Sequence, residues 1–341
     1  MKLLIYGDVV GKLGREGVKH TLSFWREKYS PDVVIANVEN IMHGKGIGPA
    51  QIRELRDAGV NIFTGGNHSV EGKDVEKILN DETIAITRPA NMREDLPGRG
   101  AVLYQIRNQK SDSPAGRAGI RNEGRVSLES ETAESKAEVF QDFSQSRHGG
   151  TRLSNSPAGE YAGLEKSAAE TKLLVINLIG QVFMHQEYAS PFIAIDKILE
   201  KHKNKTPFII LDWHADATSE KAVMGRYLDG KVSAVFGTHT HVPTADAKIL
   251  PKGTAYISDI GMVGPYESII GVEIEPAIER FVKNIKTPKN PVETGPIEVN
   301  AIYLELEEKV AASSDFRAVH SEAARAVDIR HLRKIVTEYR I

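Results

Sequence analysis

Gly-Thr-His-Thr-His at residues 237–241 follows an apolar run at 232–236, Val-Ser-Ala-Val-Phe, whose composition is typical of a buried strand. His239 and His241 therefore stand one residue apart where this strand is predicted to end. In an extended segment, side chains at positions i and i+2 point to the same face. Two imidazoles on one face can bind one metal ion or two adjacent ions. The alternative is a pair of ordinary loop histidines, so the other polar residues that reach this place decide between the two.

The composition limits the class of protein. The chain has 341 residues, of which 40% are apolar, so one large domain or two ordinary domains can form a hydrophobic core. Lys and Arg number 44 and Asp and Glu number 46, so no overall positive charge would attract extensive nucleic acid. The lack of cysteine excludes disulfides and thiolate metal sites. No apolar run approaches the ~18 residues of a membrane helix, so we expect a cytoplasmic protein with no membrane partner.

Polar residues also follow the predicted strands of the N-terminal part. These strands cover residues 2–6, 32–36 and 60–64 and alternate with predicted helices at 15–29 and 49–58. Asp8 follows the first strand, Glu39 and Asn40 the second, and Asn67 and His68 the third. Asp8 alone is open to interpretation as a helix cap, and Glu39 and Asn40 as loop polarity. Open α/β sheets bind ligands at the carboxyl ends of their strands, so three such ends in succession favour a site.

A further histidine follows a predicted strand in the C-terminal half. The strand covers residues 206–211 and ends in Asp212-Trp213-His214. The candidate site residues are therefore Asp8, Glu39, Asn40, Asn67, His68, His214, His239 and His241. Their oxygen and nitrogen atoms suit Mn, Fe, Zn or Ni better than the metals that thiolates select. Eight groups exceed the needs of one ion, which indicates two.

We predict a single domain over residues 1–306, interrupted by an insertion at 109–171 and followed by a C-terminal extension at 307–341. The insertion is rich in Ser, Glu, Gly and Ala and poor in large apolar residues, which predicts a low-complexity, flexible segment. Its residues 130–143 have a helical pattern. The extension contains a predicted helix at 324–339, and residues 259–266 are predicted to form a glycine-rich loop.

These motifs, taken with their spacing, resemble the YmdB-like branch of the calcineurin-like metallophosphoesterase superfamily. The resemblance rests on Gly-Asp at 7–8, Asn-Val-Glu-Asn at 37–40, Gly-Asn-His at 66–68, His214 and the 237–241 stretch. It covers residues 1–107 and 172–306. It implies an α/β fold, a four-layer α/β/β/α sandwich with two mixed sheets. It also implies two divalent metal ions, Fe or Mn in the first place, with Zn, Ni and Mg as alternatives.

The resemblance assigns a role to each candidate residue. One ion is held by Asp8, Glu39, Asn40 and His241, and the other by Glu39, Asn67, His214 and His239. Val10 stands where the wider superfamily has a histidine ligand, and Asn40 is the implied replacement. His68 is the implied general acid that protonates the leaving oxygen. The alternative for His68 is a further ligand or a packed core residue.

The implied function is a phosphodiesterase that hydrolyses 2′,3′-cyclic nucleotides or related small phosphodiesters by a metal-bridging hydroxide. Two alternatives stay open: a regulatory nucleotide-binding protein that retains the metal site but has little turnover, and a nuclease on RNA ends, which the balanced charge disfavours. Ser69-Val70 replaces the Thr-Trp pair usual in the branch, and residues 184–187 also diverge, which affects the pocket wall more than the ligands. The expected partner is the small substrate, and the branch suggests self-association into a homo-oligomer.

Overall fold

The structure is a computed structural model that describes residues 1–106, 125–126, 171–184, 188–308 and 323–338. The described helices are α1 (Gly11–Tyr29), α2 (Pro49–Ala58), α3 (Val75–Leu79), α4 (Pro191–Lys201), α5 (Thr218–Tyr227) and α6 (Ile274–Lys283). The described strands are β1 (Lys2–Val9), β2 (Val33–Asn37), β3 (Ile62–Thr64), β4 (Ala101–Ile106), β5 (Arg125–Val126), β6 (Thr171–Ile179), β7 (Ile209–His214), β8 (Ala234–Thr238), β9 (Lys248–Ile249), β10 (Ala255–Ile257), β11 (Met262–Pro265), β12 (Ile297–Glu307) and β13 (Arg325–Val336).

The strands form two mixed sheets. The first has the order β13-β12-β11-β1-β2-β3, and the second has the order β5-β4-β6-β7-β8-β10-β9. In the first sheet β1 runs parallel to β2 and antiparallel to β12. In the second sheet β6, β7 and β8 run parallel to one another, while β4 runs antiparallel to β6. Each sheet is therefore mixed, as expected.

Side chains alternate along β1 between two hydrophobic cores. Leu3 and Ile5 pack with residues of the second sheet, such as Val175 and Ile210, in a layer between the two sheets. Leu4 and Tyr6 face the opposite way, into a core with α1, α2 and α3. A third core lies on the outer face of the second sheet, against α4 and α5. The predicted four-layer α/β/β/α sandwich is thus confirmed, and strand periodicity assigns each face to its layer.

The carboxyl ends of the parallel strands in the two sheets meet at one edge of the sandwich. Asn37 at the end of β2 donates a hydrogen bond from Nδ2 to Asp212 Oδ2 near the end of β7, over 3.0 Å. A bulge at Gly7 shifts the register of β1 against β2, so that Asp8 pairs with Asn37. This shift turns Asp8 to the same face as Asn37, toward the second sheet. Polar residues from both sheets therefore share one space.

The predicted helix at 324–339 is wrong, because this segment forms β13 at the edge of the first sheet. Apolar residues recur at a spacing of three from Ala326 to Leu332, which is typical of a helix, but a bulge in the pairing with β12 explains the first interval and a change of face explains the second. The bulge lets Ala326 and Ile329 both pack on the core between the sheets, while Leu332 and Val336 face the helical layer. Pairing along the whole of β12 outweighs the local pattern.

The predicted loop at 259–266 also differs, since Met262–Pro265 is strand β11, paired with β1 and β12. The insertion at 109–171 lies between two adjacent antiparallel strands, β4 and β6. Within the insertion, the structure describes β5, which pairs with β4. The segment predicted to be helical, and most of the stretch predicted to be flexible, lie outside the described residues. The described residues contain no helix long and apolar enough to cross a membrane.

The bulge in β13 can be tested by paired substitutions. Ile329 packs against the core between the sheets, whereas Val327 at the bulge is 37% exposed. We expect Ile329→Ala to lower the free energy of unfolding by about 2 kcal/mol and Val327→Ala by less than about 0.5 kcal/mol. Urea unfolding followed by circular dichroism measures both. Equal losses for the two variants would contradict this assignment of faces.

Candidate metal centre

Four predicted ligands form a tight cluster at the shared edge of the two sheets. Asn67 Oδ1 lies 2.9 Å from His214 Nε2, and Glu39 Oε1 lies 3.3 Å from the same nitrogen. His239 Nδ1 is 3.1 Å from that nitrogen as well. The ligand atoms of Glu39, His214 and His239 all lie within 4.8 Å of one another. The first sheet thus supplies Glu39 and Asn67, and the second supplies the two histidines.

The other three predicted ligands lie next to this cluster. Asn40 Nδ2 is 3.1 Å from Glu39 Oε1 and 3.2 Å from His241 Nε2. His241 Nε2 lies 4.0 Å from Asp8 Oδ1, and the His239 amide donates to Asp8 Oδ2 over 3.2 Å. All seven predicted ligands are therefore brought together, and Glu39 Oε1 contacts both Asn40 and His214. Their roles as ligands remain a prediction.

The two histidines of the 237–241 stretch do not converge through an extended strand. β8 ends at Thr238, and His239 and His241 have positive φ angles of 103° and 65°. Residues with a side chain rarely adopt this conformation, so the surrounding structure must hold it. The expectation of a shared face in an extended segment is wrong, because two left-handed residues turn the chain.

A buried ion pair holds this turn in place. Lys221 Nζ contacts Asp259 Oδ2 at 2.5 Å and donates to the Thr238 carbonyl at 2.9 Å. Asp259 Oδ2 also accepts from the Thr240 amide over 3.2 Å. The Lys221 and Asp259 side chains are 2% and 1% exposed. The backbone on both sides of His239 is thus tied to two buried charges.

Gly66 makes room for the cluster. A Cβ atom at this position would collide with the Glu39 carboxylate and with the His214 ring. The Gly66 amide donates to Ser69 Oγ over 2.7 Å, and Ser69 is fully buried. The serine that departs from the branch's usual threonine therefore closes the turn that carries Asn67 and His68.

Buried charge shifts the pKa values of the cluster. Burial alone lowers the pKa of His214, but the negative charges of Glu39 and Asp8 outweigh it and raise the pKa to about 9. Burial raises the pKa of Glu39, yet the His214 charge reverses this and lowers the pKa to about 2. Burial and then the His214 charge lower the pKa of His239 to about 3. The metal-free site therefore holds an imidazolium on His214 beside a neutral His239.

The donor set fits divalent metal ions. Asp8 Oδ1 is buried and has no hydrogen-bond partner among the described residues, which is costly for a carboxylate oxygen. The ligand atoms of Glu39, His214 and His239 face one shared space, where a metal ion would displace the proton that His214 Nε2 donates to His239 Nδ1 across 3.1 Å. Carboxylate, amide and imidazole groups are the ligands that Mn, Fe and Zn accept. A cation would satisfy all of these atoms.

His68 lies beside the cluster and is held by a carboxylate that the sequence analysis missed. His68 Nδ1 is 2.9 Å from Glu71 Oε1, and Glu71 Oε2 is 2.9 Å from Lys45 Nζ. His68 Nε2 is 3.0 Å from Asn67 Nδ2, and the side chain is 28% exposed. The His68 side chain is thus not fully buried, and its ring nitrogens are not among the clustered ligand atoms. The acid three residues after His68 was the available signal for Glu71.

Three further polar residues behind the ligands were also missed: Asp212, Lys221 and Asp259. Each is buried, at 2% exposure or less, and each contacts Thr238 or its neighbours. Asp212 stands two residues before His214 on the same strand, which is the only sequence signal for it.

Two other polar places near the motifs do not contribute side chains to the described site. His43 is 79% exposed and pairs with Glu293, and residues 185–187 lie outside the described part of the chain.

The chain is similar to known proteins over most of its length. A family model described as "YmdB-like protein" matches residues 4–130 and 135–319, and so takes in segments beyond the resemblance seen in the motifs. A Bacillus subtilis protein named 2′,3′-cyclic-nucleotide 2′-phosphodiesterase is 33% identical over 91% of this chain and 92% of its own length. A putative phosphatase/phosphodiesterase from Mycoplasma pneumoniae is 29% identical over 98% of this chain and 96% of its own.

Solved structures show the same fold. A hypothetical protein from Thermus thermophilus is 30% identical with a TM-score of 0.69, covering 98% of this chain and 99% of that one. A structure described as a novel phosphatase from Mycoplasma pneumoniae is 26% identical with a TM-score of 0.71, covering 99% and 94%. The similarity extends over nearly the whole length of each chain.

The protonated His214 predicts how metal binding depends on pH. A divalent ion must displace the proton from Nε2, so Mn²⁺ uptake at neutral pH should release about one proton for this ligand. The affinity should rise about tenfold per pH unit until pH reaches about 9. Equilibrium dialysis with Mn²⁺ and a pH-indicator titration measure these quantities. Uptake without proton release would contradict the prediction.

The raised pKa of His214 also predicts how the stability of the metal-free protein changes with pH. The pKa of His214 in the fold, about 9, exceeds its ordinary value of 6.5. Its ion pair with Glu39 therefore stabilises the metal-free fold fully below pH 6.5, and this contribution is lost as pH rises through about 9. Thermal unfolding after chelation, measured across this range, should show the decline.

The Lys221–Asp259 pair predicts a large loss of stability. Lys221→Met leaves the Asp259 carboxylate buried without its cation, which should cost about 3–5 kcal/mol in urea unfolding. Lys77→Met is the matched control, since Lys77 is 79% exposed and its ion pair within the described part of the chain is with the exposed Asp74. That change should cost less than about 1 kcal/mol. Similar losses for the two variants would show that the buried pair does not hold the turn.

Proposed function

Because the chain belongs to the YmdB-like protein family, we propose that it hydrolyses 2′,3′-cyclic nucleotides or related small phosphodiesters with the help of two divalent metal ions. The protein is a hydrolase with phosphoesterase activity. The nucleotide class follows the name of the Bacillus subtilis relative. The metal ions follow the donor set of the site.

One observation carries the proposal: seven side chains with the chemistry of metal ligands converge from both sheets, with Glu39 in contact with both Asn40 and His214. Asp8, Asn40 and His241 would hold one ion with Glu39. Asn67, His214 and His239 would hold the other with Glu39. Bound divalent ions polarise phosphoryl oxygens and supply hydroxide at neutral pH. The chain's own residues must then place the substrate and deliver a proton to the leaving oxygen.

His68 is placed to deliver that proton. Glu71 accepts a hydrogen bond from His68 Nδ1, which fixes the ring and leaves Nε2 as the atom on the side of Asn67. Asn67 Nδ2 donates to Nε2 when the ring carries only the Nδ1 proton. When the ring is doubly protonated, Nε2 no longer accepts from Asn67 and can donate to the oxygen that leaves phosphorus. Water adds to phosphorus as hydroxide and gives its other proton to solvent, one phosphorus–oxygen bond breaks, and the proton from Nε2 ends on the freed hydroxyl. The ring then takes up a proton from solvent, so the reaction consumes one water and no net proton. Glu71 is a positioning residue in this step, because it acts through His68.

A comparison of leaving groups tests the proposal. With Mn²⁺, the protein should hydrolyse 2′,3′-cyclic AMP, whose leaving alkoxide needs a proton. It should also hydrolyse bis(p-nitrophenyl) phosphate, whose leaving phenolate needs much less help. His68→Ala should slow the first substrate by about 100- to 10,000-fold and the second by far less. Glu71→Ala should also slow the cyclic nucleotide more than bis(p-nitrophenyl) phosphate, but by a smaller factor than His68→Ala.

His43→Ala is the matched control, because His43 is exposed and lies outside the cluster. Its rates should equal those of the wild type. If His68→Ala slowed both substrates equally, His68 would not be the general acid. If nucleotide bound without turnover under any tested metal, a regulatory binding protein would replace the enzyme, and shortened RNA in the same assay would point to a nuclease.

A further inference from the structure

A chain of hydrogen bonds runs from His214 into the interior, away from the proposed metal ions. His214 Nδ1 is 2.9 Å from Thr238 Oγ1, and Thr238 Oγ1 is 2.7 Å from Asp212 Oδ1. The other carboxylate oxygen, Asp212 Oδ2, accepts from Asn37 Nδ2 over 3.0 Å. His214, Thr238 and Asp212 are all fully buried. Because buried polar groups are generally hydrogen-bonded, the donors and acceptors of this chain must match.

The direction of each hydrogen bond follows from the chemistry of its partners. An ionised carboxylate only accepts, so the Thr238 hydroxyl must give its single proton to Asp212. Asn37 Nδ2 lies 3.5 Å from Thr238 Oγ1, but it is a donor and cannot accept the hydroxyl proton. The hydroxyl oxygen can then only accept from His214, which requires a proton on Nδ1. His214 Nε2 is left as the atom that faces Glu39, Asn67 and His239.

We propose that Asp212 and Thr238 are a positioning pair that keeps the proton of His214 on Nδ1 and so presents Nε2 as a metal ligand. This inference rests on the proposed function only in requiring that a divalent ion binds beside His214. Partners of this kind fix the orientation and tautomer of a ligand histidine, and their loss commonly weakens metal binding about 10- to 100-fold. Neither residue touches substrate.

Strand register explains why these residues meet. His214 pairs with Thr238 across β7 and β8, and Asp212 pairs with Phe236 two positions earlier. Asp212 and His214 lie two apart on β7, so both point toward the first sheet, and Thr238 stands beside them on the neighbouring strand. The pair is therefore a feature of the sheet rather than of a mobile loop.

A pair of substitutions at Thr238 tests the proposal. Thr238→Val keeps the shape but removes the hydroxyl, and Thr238→Ser keeps the hydroxyl. In equilibrium dialysis of the full chain with Mn²⁺, Thr238→Val should weaken one of two binding events about 10- to 100-fold. Thr238→Ser should stay within about threefold of the wild type, since the donor and acceptor pattern is retained.

The matched control is Thr21→Val, which removes another fully buried threonine hydroxyl, hydrogen-bonded to the Gly17 carbonyl in α1. This variant should bind Mn²⁺ as the wild type does, even if its unfolding temperature falls. Equal weakening in Thr21→Val and Thr238→Val would mean that binding responds to general destabilisation, which overturns the proposal.

Asp212→Asn is the second arm, because an amide cannot accept at both of its ends. If its NH₂ group faces Asn37, two donors meet. If the NH₂ group faces Thr238 instead, the Thr238 hydroxyl donates to His214 Nδ1, and the proton of His214 moves to Nε2. We expect weaker Mn²⁺ binding, by a factor similar to that for Thr238→Val. Wild-type affinity in both variants would overturn the pair's role.

Nitrogen-15 spectra of the Zn²⁺-loaded protein read the tautomer directly. In the wild type, Nδ1 of His214 should show a bonded proton and Nε2 the shift of a metal-bound nitrogen. The reverse assignment would refute the proposal while leaving the phosphodiesterase function intact. A wild-type chain that binds neither Mn²⁺ nor Zn²⁺ would instead reject the metal site itself, and the inference with it.

Discussion

Four buried carboxylates at the meeting of two sheets set the constraint that the rest of the site must satisfy. Asp8, Glu39, Asp212 and Asp259 are each at most 1% exposed. Uncompensated charges in a protein interior cost several kcal/mol each, so each must find a partner. Lys221 neutralises Asp259, and the imidazolium of His214 neutralises Glu39 in the absence of metal. Asp8 and Asp212 have hydrogen bonds but no cation of their own among the described residues. Divalent ions beside Asp8 and Glu39 would resolve this excess of negative charge.

The same constraint separates the polar groups into those that face the proposed ions and those that face the backbone. Lys221 and Asp259 bind the backbone of Thr238 and Thr240. These contacts stabilise a turn in which two residues have positive φ, unlike an ordinary strand end. Asp212 acts on a side chain, through Thr238. Glu71 and Lys45 act at the exposed side, on His68. The ligand groups are thus held from behind by buried charges, while the group proposed to transfer a proton stays partly open to solvent.

The sequence predicted the ligands more reliably than the elements around them. Asp8, Glu39 and Asn67 stand at the ends of apolar strands, and parallel strands that share a sheet end at one edge, so the convergence of these three was predictable. His214 belongs to the other sheet, and its place beside them followed from the family resemblance rather than from the strand pattern. β13 was missed because a bulge gives its apolar residues a helix-like spacing, and only the partner strand β12 reveals the correct structure. β11 was missed because Gly261 precedes it and Gly264 and Pro265 lie within it, whereas its neighbours β1 and β12 supply the hydrogen bonds. Glu71, Asp212 and Lys221 were missed for a different reason. Their importance lies in what they contact, and no local pattern shows that contact.

The candidate site is a continuation of the core between the two sheets, and this explains why polar residues of distant segments share one face. Along β7, Ile210 packs in that core, and Asp212 and His214 follow at intervals of two on the same face. Along β8, Ala234 and Phe236 pack there and Thr238 follows. Along β2, Val33 and Ile35 are followed by Asn37. Each strand thus changes from apolar to polar without changing face, and it does so at the same height. A slip of one residue in any of these strands would turn its polar groups into a helical layer. The apolar packing of the sandwich therefore fixes the register, and the register in turn fixes which atoms of Asp212, Thr238 and His214 face one another.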